Sequence, residues 1–508
     1  MTRRRLLLGL AGAGLFLAAL DAYAVVTLLP QMLEAVDLPI DHVEAAAPIL
    51  TGFLGGYVVA MPLLGAFSDA RGRLPAYAAA LGAFAAGSAV TALAPGLAWL
   101  VAGRVVQGLG GGALVPLSLA LAADLYADRA RGLAIGVVSA LQEAGSVVGP
   151  VYGATLAAGL GGWRPVFWLN LPLGAMILAG LWLAMRQGPA PGTPGASPGR
   201  DVEWAGALLL GLGLAFAVVA LYPDDPGSRA VNVNVVPFAL AAVAALAAFG
   251  WRQARHLTPL VSSGLLRSRA FGGSMVANLL AGGALMVALV DVPVLARGVY
   301  DLDTLQSGLL LSRFLLGIPV GAIAGGWLAG RLGQRLTSAA GLVVAGTAFV
   351  LMSSWDLQEL STAGPAASAE LVACGIGFGL VIAPLSLAVL DRAAARELGV
   401  ASSLVVLSRT VGMVLALAAL TAFGLARLQR ILAVRHCGAV SAGPGSLADR
   451  LSAYETCVRG GLLQEYREIF LVAAALCGLA ALLALTTLPS RAARVASSQR
   501  GSPEAVLE

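Results

Sequence analysis

Six charged residues stand inside long apolar runs: Asp21, Arg104, Glu143, Asp291, Arg313 and Arg409. A charge at the centre of a membrane helix costs roughly 2.5–3.5 kcal/mol on the insertion scale, so such residues are kept for pairing or for function. The chemistry open to the three acids is proton binding. Burial disfavours the charged form of a carboxylic acid, and a nearby guanidinium favours it. A carboxylate that gains and loses an Arg partner therefore binds and releases a proton. Helical rise gives each residue a depth. Asp21 and Arg104 fall in one outer half, as do Asp291 and Arg313, while Glu143 and Arg409 fall near mid-depth. Equal depth suggests that Arg104 lies near Asp21 and Arg313 near Asp291. Asp291 reads more readily as half of a structural pair, and Arg409 as a charge that biases a carboxylate.

Other chemistry is excluded by composition. All 32 basic residues are Arg, so the lysine of a P-loop or of a Schiff base is missing. His42, His256 and His436 all lie outside the apolar runs, which argues against haem, a metal site or any other cofactor in the membrane. The chain is 58% apolar and 12% charged, about half the charge of a soluble domain. Its net charge of +5 follows from arginines beside apolar segments and is no sign of nucleic-acid binding.

These residues need helices to carry them. A bilayer core of ~30 Å takes ~20 apolar residues per helix. Fourteen runs qualify, near 6–31, 45–67, 75–95, 97–124, 132–158, 165–185, 204–222, 231–251, 272–296, 305–330, 337–356, 368–390, 400–431 and 466–488. The fold class is all-α membrane protein. The plan is 6 + 2 + 6: a first half at 1–186, a linker at 187–203, two inserted helices at 204–251, a second linker at 252–271, a second half at 272–490 and a tail at 491–508. Segments assigned to the cytoplasm hold 20 arginines and the exterior holds 9, so both termini are expected in the cytoplasm. Arg3–Arg5, a leucine run and Ala22-Tyr23-Ala24 mimic a cleaved signal peptide, but the run continues to Leu29 and cleavage would leave one span too few.

Several motifs follow the span order. Gly65-x-x-x-Asp69-x-Arg71-Gly72-Arg73 follows the second span, and Gly326 to Arg335 echoes it in the second half with Gly330 in place of the Asp. Arg104-Val-Val-Gln107-Gly108 lies in the fourth span and Gly145-x-x-x-Gly149-Pro150-x-x-Gly153 in the fifth. Leu20-Asp21 to Pro30 and Trp163-Arg164 to Pro172 complete the set. Together they resemble the major facilitator superfamily, in its fourteen-span drug:proton antiporter branch. Asp21-Ala-Tyr-Ala-Val-Val-Thr, Gln142-Glu143 to Gly153, Leu285 to Val292 and Leu380 to Ser386 are similar to the mycobacterial triacylglyceride exporters that work with a periplasmic lipoprotein.

The resemblance implies a major facilitator fold and a proton-coupled secondary transporter of hydrophobic molecules, triacylglycerides or related lipids, working by alternating access. It makes Asp21 the first candidate for the proton carrier and Glu143 the second. It makes Asp69 with Arg71 and Arg73 a conformational latch; the two arginines are also expected to anchor their loop at the headgroups. The fifth span reads as two-faced. Gly145, Gly149 and Gly153 let another helix approach, Pro150 removes a backbone hydrogen bond, and Ser139, Glu143 and Ser146 form a polar stripe. Gln107, Gln142 and Asn278 read as ordinary packing residues. An exterior loop is expected at 432–465, flanked by helices that extend outward. Cys437 and Cys457 within it are expected to form a disulfide, since the exterior is oxidising.

A multidrug:proton antiporter is the alternative. A lipid scramblase or membrane enzyme is the reading from another class, and no His, Ser or Asp constellation supports an enzyme. The expected setting is a bacterial plasma membrane. The expected partners are membrane lipids, protons and a hydrophobic lipid or drug, with a periplasmic lipoprotein implied by the resemblance and the chain itself a monomer.

Overall fold

The computed structural model describes residues 3–36, 47–186, 203–221, 231–256, 259–356, 365–435 and 446–490. Among the described residues there is no β-strand. Lipid offers no partner to backbone N–H and C=O groups, so each span closes its own hydrogen bonds as a helix. The first six helices are α1 (Arg3–Glu34), α2 (Ala47–Arg71), α3 (Arg73–Leu93), α4 (Leu97–Leu125), α5 (Asp128–Leu160) and α6 (Arg164–Arg186). Two inserted helices follow, α7 (Trp204–Leu221) and α8 (Val235–Arg255), then a single turn, α9 (Ser263–Leu266). The last six are α10 (Arg269–Gly298), α11 (Thr304–Leu332), α12 (Gln334–Met352), α13 (Pro365–Leu390), α14 (Leu398–Arg435) and α15 (Leu447–Thr487). All but α9 are long and apolar enough to cross a membrane, fourteen in number. The end of the bundle where α1 begins and α15 stops is the basal end; the other is the distal end.

The two six-helix halves repeat one packing scheme. In the first, α1 packs on α5, α2 on α4, and α3 on both α4 and α6; in the second, α10 packs on α14, α11 on α13, and α12 on both α13 and α15. The halves meet through α5 against α11 and α2 against α14, which are equivalent pairs under the same repeat. Of the inserted helices, α7 packs against α2 while α8 packs on α7. Only Ala242 of α8 is fully buried, so that helix is apolar nearly all round and faces outward.

Small residues set the closest approaches. A Cβ at Gly145, Gly149 or Gly153 would lie 2.5, 2.7 and 2.8 Å from the carbonyl oxygens of Phe16, Leu20 and Ala24 on α1. That stripe is therefore the seam between α5 and α1. Gly317 and Gly325 meet the backbone of α13 in the same way, each 2.5 Å from a carbonyl oxygen, those of Val372 and Leu380.

Two boundaries need correction. The expected loop at 432–465 is mostly helix, because α14 runs to Arg435 and α15 starts at Leu447. With 38 and 41 residues these helices are about 57 and 62 Å long. A hydrocarbon core of ~30 Å cannot cover them, so both project beyond the distal end. The linker expected at 252–271 also contains the end of α8, all of α9 and the start of α10. The linker at 187–203, apart from Glu203, and the tail at 491–508 lie outside the described residues.

Candidate functional site

Asp21 lies on the inner face of α1, where α1, α3, α4 and α6 converge. Arg104 donates Nη1–H to its Oδ2 at 2.9 Å, and Gln107, one turn further along α4, donates Nε2–H to the same oxygen at 3.1 Å. Asn170 of α6 donates to Oδ1 at 2.5 Å. The shell is itself cross-linked. Gln107 accepts from Arg104 at 2.9 Å and donates to Ser88 of α3 at 2.7 Å, and the Arg104 guanidinium lies 4.2 Å from the centre of the Phe53 ring. The Asp21 and Arg104 side chains are only 2% and 1% exposed, so this pair is sealed from solvent.

Glu143 on α5 meets Arg409 on α14, Oε1 to Nη2, at 3.5 Å. This pair differs in two ways. It crosses between the halves, and both side chains are 16% exposed, where the first pair is sealed. Tyr23 of α1 and Tyr57 of α2 stand in the field of both charges. Glu143 and Arg409 line a small cavity whose remaining wall is mostly apolar: Ala281, Leu285, Ile318, Phe378, Val381 and Ile382. The one neutral polar residue in that wall is Asn278, and its Nδ2 is buried without a hydrogen-bond partner.

The third expected pair does not form. Arg313 turns away and donates to Ser368 of α13 at 2.5 Å. Asp291 instead faces Glu465 and Tyr466 of α15, and it has no ion pair among the described residues. Depth along a helix fixes height but not direction. Arg313 points to the neighbour of α11 and Asp291 to the neighbour of α10. Glu465 is itself buried, with Oε2 lacking a hydrogen-bond partner.

At the basal end, Asp69 closes the first half onto the second. Its Oδ1 accepts from the Gly399 N–H at 2.9 Å and its Oδ2 from the Val400 N–H at 3.0 Å, both at the start of α14. Unpaired N–H groups and the helix dipole make that terminus a natural seat for a carboxylate. Arg73 pairs with Asp69, donates Nε–H to Asp124 at the end of α4 at 2.8 Å, and reaches the Ala395 carbonyl at 3.2 Å. Arg73 is thus buried inside the junction and is not at the headgroups; Arg71 beside it is exposed.

The equivalent junction of the second half holds Asp391, at the end of α13. It accepts from Arg131 of α5 at 3.0 Å and from Gln334 of α12 at 2.6 Å. Gly330 lies against the backbone of Arg129.

Cys374 and Cys477 are free and buried, whereas Cys457 is disulfide-bonded. Cys437 lies outside the described residues. Residue-type reasoning reads Gln107 as an ordinary packing group, places Asn170 only within the Trp163 to Pro172 motif, and does not single out Ser88. The signal for Gln107 was its position three residues after Arg104, on the same helix face.

Three comparisons bear on this arrangement. The family profile described as Major Facilitator Superfamily matches residues 11–417. The triacylglyceride transporter of Mycolicibacterium smegmatis is 39% identical over 495 residues, covering 95% of this chain and 87% of that protein. The triacylglyceride transporter of Mycobacterium tuberculosis is 38% identical over 497 residues, covering 95% and 94%. Among solved structures, the human organic anion transporter MFSD10 aligns with a TM-score of 0.61 at 19% identity, covering 94% of this chain and all of that one. The Escherichia coli fucose:proton symporter aligns with a TM-score of 0.54 at 14% identity, covering 95% and 98%. The two structures speak to fold alone.

Proposed function

The chain belongs to the major facilitator superfamily and is a multi-pass membrane transporter, and from that premise we propose that it exports triacylglycerides or closely related lipids in exchange for protons across a bacterial inner membrane. The observation that carries this reading is the pair of unequal ion pairs: Asp21–Arg104, sealed within the first half, and Glu143–Arg409, partly exposed and shared between the halves. The basal end is taken as cytoplasmic, following the arginine distribution. With the Asp69 junction closed, a proton arriving from the distal side reaches Glu143. Neutralising that carboxylate removes the attraction that holds Arg409, which weakens the link across the halves. Asp21 takes up and relays the proton when movement of the halves loosens its Arg and amide shell, which otherwise favours the charged form. Asp291, with Glu465 beside it, is a third protonatable site near the distal end.

The cargo assignment rests on the cavity and on the mycobacterial relatives. An apolar wall suits acyl chains, and the free Asn278 N–H can donate to an ester carbonyl. The projecting parts of α14 and α15 offer a docking post for a periplasmic lipoprotein. A Cys437–Cys457 disulfide would clasp the tip of that post. The chain acts as a monomer in this scheme.

Reconstituted vesicles test the cargo. A fluorescent triacylglyceride is expected to move when a proton gradient is imposed, and amphiphilic cationic drugs are not. Gradient-driven drug movement without glyceride movement would favour the multidrug reading, and glyceride movement without any gradient would point to a scramblase.

A further inference from the structure

One sequence pattern recurs at the basal ends of three helices that nothing above explains. Trp182 and Arg186 close α6, Trp251 and Arg255 close α8, and Trp327 and Arg331 lie in the last turns of α11. In each case Arg follows Trp by four residues, and the guanidinium lies over the indole face. The distances to the ring centre are 3.5, 4.8 and 3.9 Å. The three indoles are 51, 61 and 45% exposed, and the three arginines are exposed beside them.

Helix direction makes this arrangement informative. All three helices run from the distal to the basal end, so each Arg Cα sits about 6 Å nearer basal water than its Trp. Side chains lean toward the helix N-terminus, which in these helices is toward the bilayer. Each guanidinium therefore folds back over an outward-facing ring at the membrane boundary. None of the three forms an ion pair with a carboxylate among the described residues. Neighbouring basal arginines do: Arg252 pairs with Glu203, Arg131 with Asp391 and Arg73 with Asp69. The distal end supplies the contrast. There Arg164 also lies over a Trp, 4.7 Å from the Trp163 ring, but that Trp is buried and the Arg donates to the Ala94 carbonyl at 3.1 Å. In the distal pair the indole is buried and the guanidinium is tied to a backbone carbonyl; in the basal three both ring and cation are exposed.

We infer that the three basal Trp–Arg pairs are binding sites for the headgroup phosphate of anionic phospholipids in the basal leaflet. The planar guanidinium fork matches phosphate oxygens, and the indole fixes the fork at headgroup level and covers the upper acyl chain. The sites fall one each on the first half, the inserted pair and the second half, so each part of the transporter has its own tether to the leaflet. This assignment does not depend on what the central cavity carries.

Native mass spectrometry of the full-length protein in detergent tests it, with phosphatidylglycerol and phosphatidylcholine added in equal amounts. Wild type is expected to retain phosphatidylglycerol in preference. The triple variant Arg186→Gln, Arg255→Gln, Arg331→Gln is expected to lose that preference, and each single variant to lose part of it. Arg164→Gln serves as the distal control and is expected to keep it. Thermal unfolding of every variant is measured alongside, and if the triple variant is unfolded the three single variants decide. An unchanged preference in the folded variants would overturn the proposal. So would displacement of the lipid by inorganic phosphate at equal concentration, which would make these general anion sites.

Discussion

Gly72 and Gly333 turn the chain with nearly the same backbone, φ +99° and ψ 157° in one, φ +91° and ψ 162° in the other. Both lie where positive φ favours glycine. Each turn joins two spans at the basal end, and each faces the first turn of a helix from the opposite half. The side chains around them differ. Asp69 in the first half corresponds to Gly330 in the second, and Arg73 corresponds to Gln334. Asp124 and Asp391, at the ends of α4 and α13, are retained as acceptors from Arg73 and Gln334 respectively. One junction is thus a buried charge network with Asp69 on the α14 terminus. The other lacks that buried network: Gly330 packs against the α5 backbone, and Asp391 takes a single ion pair from Arg131. A repeated scaffold has been given one junction that holds strongly and one that holds weakly. We propose that, when the halves rock, the network around Arg73 dominates the closed basal state and the Arg131 pair contributes little.

The largest effect is expected from Arg73→Ala, which leaves two carboxylates buried without their cation. Loss of one partner from a buried pair costs on the order of 3–5 kcal/mol. The thermal unfolding midpoint should fall, and spin labels placed across the α2–α14 contact should report a shift to longer distances. Asp69→Asn keeps one acceptor for the α14 terminus and loses the charge. It should cost roughly 1.5–3 kcal/mol, read in the same distance measurement. Gln334→Arg places a second cation beside Asp391, at the position that Arg73 holds in the first junction. It should favour basal closure and slow turnover without lowering the unfolding midpoint. Asp391→Asn should have the smallest effect. Its pair with Arg131 is partly exposed, 17% and 26%, and such pairs contribute about 0–1 kcal/mol. If Asp391→Asn opened the basal end as far as Arg73→Ala, the contrast between the junctions would be broken.

Much of this architecture is legible in the sequence, because lipid imposes it. Fourteen apolar runs give fourteen spanning helices, and the echo of Gly65–Arg73 at Gly326–Arg335 foreshadows the repeated turn. Depth reasoning works for Asp21 and Arg104, whose side chains also face each other. It fails for Asp291 and Arg313, because rise along an axis says nothing of rotation about it. The outward extension of α14 and α15 is legible in the polar residues that continue them, but the full length of α15 is not. Hydropathy detects lipid contact rather than helix, so it loses α15 where that helix leaves the membrane. The start was still written as Ser446-Leu-Ala-Asp449. Its two ends cap each other, with the Ser446 hydroxyl accepting from the Asp449 N–H and the Asp449 carboxylate from the Ser446 N–H, each at 3.2 Å. The burial of Arg73 could not be read either. A basic residue next to a span usually marks the headgroups, and only the packed junction distinguishes it from exposed Arg71.

The most direct test of proton coupling compares wild type with Asp21→Asn in proteoliposomes. Glyceride movement is followed twice, once under an imposed proton gradient and once as exchange down the cargo's own gradient. Exchange shows that a variant is folded and able to cycle. Wild type should perform both. Asp21→Asn should lose gradient-driven movement and retain exchange. Gradient-driven movement at the wild-type rate in Asp21→Asn would contradict the role of Asp21 as the coupling carboxylate.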